Sequence, residues 1–132
     1  MISFFVPGIP APKGSWRSFK RATRTVFVND NPRTKPWADA VTLVARTQSQ
    51  GRILNGALKV SLAFYVPRPR TVKRALPSTK PDLDKLVRAT LDALNGVLVT
   101  DDGRVVELTA SKEYARVPGD TGAHIVISEV QP

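Results

Sequence analysis

The sequence predicts a single small α+β domain over residues 1–132, with a mixed β-sheet and two main α-helices. Residues 58 to 64 place large apolar side chains, Leu58, Val60, Leu62 and Phe64, at every second position, the mark of a half-buried strand. Two segments instead repeat their apolar residues at helical spacing. Strands and helices are interspersed without a regular βαβα alternation, which favours α+β over a doubly wound fold.

In chain order, "ISFFVPGIP" reads as a first strand closed by Pro7, Gly8 and Pro10. "APKGSWRSFKRATR" reads as a loop carrying five basic residues and two aromatics, and "TVFVND" as a short strand ending in turn residues. After Pro36, Trp37, Val41, Val44 and Ala45 fall on one helical face, with Gly51 as the stop. "GALKVSLAFYVP" is the clearest strand, with Leu58, Val60, Leu62 and Phe64 on one face. A second basic loop follows, "RPRTVKRALPSTKP". Leu83, Val87, Leu91 and Leu94, widened by Leu86, then predict a helix closed by Asn95-Gly96. "GVLVTDDGRVVELTASKEYA" is expected to form two strands around an Asp-Gly turn, and "AHIVISEV" a closing strand.

Composition narrows the function. The 132 residues carry a net charge of +9 and no cysteine, which removes disulfides, thiol nucleophiles and cysteine metal sites. No apolar run approaches the roughly 20 residues that span a bilayer, and the short start "MISFFVPGIP" lacks the basic region of a signal peptide. The expected setting is cytoplasmic, with no membrane partner. Residues 1–81 hold fifteen Lys/Arg against two acids, Asp30 and Asp39, whereas residues 82–132 hold five against nine. A basic field of this strength favours a polyanion, most commonly nucleic acid.

Against that background the carboxylates are conspicuous. Asp82 and Asp84 stand two apart, which on a regular helix puts them on different faces. They converge only if Asp82 sits at the helix start, beside Pro81, and Asp84 in the first turn. Each cluster has an ordinary structural explanation. Asp caps helices and offsets their dipole, Arg88 lies four residues from both Asp84 and Asp92, and "TDDGR" fits a hairpin turn. Taken together, Asp82, Asp84 and Asp101 or Asp102 are expected to meet at one rim, facing the phosphate that the basic loops attract. Such a cluster needs a cation, and hard oxygen ligands suit Mg²⁺ or Mn²⁺. With His124 the only histidine, a zinc site is excluded. The chemistry that remains is metal-assisted phosphodiester hydrolysis; the alternative is a non-catalytic basic nucleic-acid-binding protein.

The segment "KPDLDKLVRATLDALNGVLVTDDGRVVEL", residues 80 to 108, resembles the signature of the RusA family of Holliday-junction resolvases. The shared pattern is Asp-x-Asp, a helix ending Leu-Asp-Ala-Leu-Asn-Gly, then paired Asp. "GIPAPKGS" and the basic loops resemble the family's N-terminal part more loosely. The resemblance implies a dimeric, Mg²⁺-dependent endonuclease that nicks four-way DNA junctions symmetrically in recombination and repair. Asp82 and Asp84 match its first two metal carboxylates and Asp102 the third, with Asp101 beside it. The family shows Asn after Asp-x-Asp and a catalytic Lys four residues after the second Asp; here those positions are Lys85 and Arg88. Arginine keeps the charge that offsets a transition state but exchanges no proton at ordinary pH. Lys13, Arg17, Lys20 and Arg21 in the first basic loop, with Arg24, are expected to track phosphates, and Trp16 and Phe19 to stack on bases or anchor that loop. Arg68, Arg70, Lys73, Arg74 and Lys80, with Lys85, are expected to hold the backbone beside the acids.

Overall fold

A computed structural model describes residues 1–14, 16–21, 24–29 and 31–131, segments 16–21 and 24–29 by their backbone alone. The strands are β1 (Ile2–Pro7), β2 (Trp16–Arg21), β3 (Arg24–Asn29), β4 (Leu58–Val66), β5 (Val105–Tyr114) and β6 (Gly122–Glu129). The helices are α1 (Thr34–Ser49) and α2 (Leu83–Leu94). One four-stranded sheet has the order β1-β6-β4-β5, with β6 antiparallel to both neighbours and β4 parallel to β5. The sheet is mixed, as the sequence predicts.

Alternation decides which face is covered. Ile2, Phe4 and Val6 of β1, Leu58 to Phe64 at every second position of β4, and Ala123, Ile125 and Ile127 of β6 are all buried. These side chains form one core with α1 and α2. On α1, Trp37, Val41, Ala45 and Ser49 recur every four residues and are buried, because i and i+4 share a face. The buried face of α2 is rotated from the expected stripe. Leu86, Thr90 and Leu94 are fully buried, while Leu83 and Leu91 are only half-buried. Thr90 turns inward because its hydroxyl accepts from the Trp37 indole Nε1 at 3.2 Å and donates to the Leu86 carbonyl at 2.9 Å. Thr90→Val keeps the shape but leaves that N–H unpaired in the core. The expected cost is about 1–3 kcal/mol, read in urea unfolding as a lower midpoint with an unchanged slope.

Two expectations are corrected. The stretch read as a loop over residues 11–24 contains β2, which pairs antiparallel with β3 from Trp16↔Asn29 to Arg21↔Arg24. A polar segment becomes a strand when a partner of high β-propensity, here Thr25 to Val28, supplies the ladder. The Asp-Gly turn joins no hairpin either. Asp102–Arg104 is a single 3₁₀ turn, and the strand after it pairs with β4 in parallel. Residues 97 to 100 give only isolated bridges from Val99 to Leu54 and Asn95. Leu98 and Val99 close the core instead of extending the sheet. A parallel neighbour requires a crossover, and the basic loop with α2 provides it.

Candidate active site

Asp82 is the N-cap of α2, with extended backbone, and Asp84 lies in the first turn. The Asp82 carboxylate makes no capping hydrogen bond; its nearest charged partner is the Lys85 ammonium at 3.8 Å. Both aspartates are exposed. The Asp82 oxygens are therefore free of the capping work that the sequence alone would assign to them, while Asp84 keeps the first-turn position that offsets the helix dipole. Arg88, one turn after Asp84, is exposed and enters no ion pair among the described residues. Asp92, the other neighbour expected for Arg88, binds Lys13 Nζ at 2.7 Å instead.

The start of α2 is held against the far end of β5. Lys112 Nζ donates to the carbonyls of Thr79 and Pro81, each at 2.7 Å. Lys112 was not singled out in the sequence, although a signal was present. It lies opposite the fully buried Phe64 in the parallel ladder, in phase with Leu108 and Ala110, where an apolar residue is usual. A lysine at that phase must find carbonyl partners, and those it finds position Asp82.

Asp101 and Asp102 lie at the other end of β5. Asp101 caps the 3₁₀ turn, its Oδ1 accepting from the Gly103 N–H at 3.1 Å. That bond, a side-chain hydrogen bond with Asp102 and the charge of Arg104 hold the Asp101 carboxyl below its ordinary range. Arg104 reaches back to Thr100 Oγ1 at 2.5 Å and to the Asn55 carbonyl, tying this end to the start of β4. Asp101 is thus held by the turn that it caps, with Asp102 hydrogen-bonded beside it.

The expected meeting of Asp82 and Asp84 with Asp101 or Asp102 at one rim does not occur within one chain. Lys112, beside Pro81, is seven residues along β5 from Val105, about 23 Å at strand rise. Among the described residues, no three acidic, histidine or cysteine side chains gather closely enough to hold a metal ion.

The second basic loop, residues 68 to 81, borders the Asp82 end. The Arg68 guanidinium lies 4.6 Å from the centre of the Tyr114 ring, and Arg74 Nη1 donates to the Tyr114 hydroxyl at 3.2 Å. Arg70, Lys73 and Lys80 are exposed. Lys80, Lys85, Asp82 and Arg33 share a cleft of about 620 Å³ with Tyr114. The side chains of Trp16, Arg17, Phe19, Lys20, Arg21 and Arg24 lie outside the described residues. Among the described residues, no helix is long and apolar enough to cross a membrane.

A small α+β domain with exposed carboxylates at a helix start, bordered by a cationic loop, is a scaffold suited to acting on a phosphodiester. Residues 7–127 match the family model described as Endodeoxyribonuclease RusA, and the chain belongs to that family. It is also 32% identical over 133 residues, spanning 89% of this chain and 90% of the relative, to the Uncharacterized protein YqaN of Bacillus subtilis (strain 168).

Proposed function

We propose that the protein is a divalent-metal-dependent endonuclease that nicks four-way DNA junctions in pairs, as a two-fold homodimer. The observation that carries this reading is the pair Asp82 and Asp84, both exposed at the start of α2, with Asp82 lining a cationic cleft, in a chain of the RusA family. The donor set fits the ion. Mg²⁺ takes one or two carboxylates together with substrate phosphate and water, and both aspartates have oxygens to offer. They would hold the ion, which would neutralise phosphate charge and activate water there. Lys80 and Lys85 hold the phosphate against the repulsion of the acids, and Arg88 offsets the charge that builds on the phosphate oxygens. Lys112 keeps the segment bearing Asp82 in place.

The separation of the acidic pairs along β5 favours a site completed by a second copy. β5 is an edge strand of the four-stranded sheet, so one side of its backbone is open to another strand. Val106 and Leu108 on it are 64% and 45% exposed. Two β5 edges associating antiparallel about a two-fold axis form a self-complementary interface. In that arrangement Asp102, at the start of one β5, comes to the Asp82 and Asp84 at the end of the other. Two equivalent sites result, as paired nicks require.

A synthetic four-way junction and a linear duplex, each incubated with and without Mg²⁺, test this reading. The expected products are symmetric nicks in the junction alone, abolished by chelation. Tight binding with no metal-dependent cutting would instead indicate a nucleic-acid-binding protein whose acids are structural.

A further inference from the structure

The cleft beside Asp82 is built for more than a phosphate. Its wall is apolar and stiff, with Val66 and Pro77 buried and Pro67 and Pro81 beside them. Proline has almost no side-chain freedom to lose when a ligand is pressed against it. Tyr114 adds aromatic surface, fixed by Arg68 over its ring and Arg74 at its hydroxyl. Among the described residues, five cations line the cleft but only one acid, Asp82. A flat apolar group attached to an anion matches this combination, as in a nucleotide.

Size points the same way. About 620 Å³ lies within the range of small-ligand sites, roughly 300–1,000 Å³. A duplex, whose major groove alone is about 12 Å wide, does not enter such a space. A single nucleotide turned out of the stack does. Unstacking costs least where pairing is already interrupted, as at a branch point.

We propose that this cleft receives one unstacked nucleotide of the branched DNA, beside the phosphate to be cut, and thereby fixes where the nick falls. The inference rests on the junction-nuclease reading and assigns that site a pocket that sets cleavage position. The base lies against the proline wall and Tyr114, and its phosphate faces Lys80 and Lys85 towards Asp82.

The test uses the full-length protein, metal-free for binding and with Mg²⁺ for mapping cuts. Junctions carry 2-aminopurine, which brightens when unstacked, at each position around the branch in turn. Wild-type protein is expected to brighten one position, adjacent to the mapped nick. Val72→Trp, which fills the cleft, and Tyr114→Leu, which removes its aromatic wall, are each expected to abolish that brightening. Each is also expected to weaken junction binding about tenfold and to spread the nicks over neighbouring phosphates. Cleavage with no position-specific brightening, or folded variants that keep both affinity and nick position, overturns the pocket and leaves the nuclease reading intact. Failure of the wild-type protein to bind or cut any junction overturns both.

Discussion

Asp82→Asn is expected to abolish junction cleavage while metal-free junction binding is kept or strengthened. The substitution exchanges one carboxylate oxygen for an amide nitrogen and removes a negative charge beside the phosphate. An ion's charge stabilisation is worth several kcal/mol and each ~1.4 kcal/mol is tenfold, so the expected loss of rate is about a thousandfold or more. Binding responds oppositely, because the deleted charge repels DNA. Stability serves as the control. Asn caps a helix about as well as Asp, and the Asp82 side chain makes no capping bond in any case. Asp84→Asn is a less clean probe, since it also removes a first-turn charge that favours the helix dipole by about 0.3–1 kcal/mol. Asp82→Asn protein that folds, binds and cuts at the wild-type rate would show that the carboxylate does no chemistry.

Much of this was legible in the residues, and the exceptions share a cause. Local periodicity defined β4, α1 and α2, because burial on one face writes itself into the spacing of Leu58 to Phe64 or Trp37 to Ala45. It also put Asp82 at a helix start and Asp84 in the first turn, since Pro81 marks that boundary. Pairing partners are non-local, and there the residues were ambiguous. Asp102-Gly103 looks like a hairpin whether the following strand returns to its predecessor or, as found, runs parallel to β4 beyond a crossover. The rotated face of α2 depends on a hydrogen bond between Thr90 and Trp37, 53 residues apart. The separation of the two acidic pairs follows from the direction of β5, which no spacing in the sequence reports. Lys112 was legible only once its register opposite Phe64 was known.

A site shared between two protomers is tested most directly by mixing two inactive chains. Asp82→Asn and Asp102→Asn, each alone, remove one carboxylate from both sites of a homodimer and are expected to leave no cutting. Co-expressed with different affinity tags and purified through both, they form a heterodimer. If Asp82 of one chain works with Asp102 of the other, one of its two sites lacks both carboxylates and the second keeps both. The expected result is restored Mg²⁺-dependent nicking of the junction, limited to one strand per binding event. A tandem-purified heterodimer that binds the junction and remains as inactive as its parents would contradict the shared site and place all the essential carboxylates of each site on one chain.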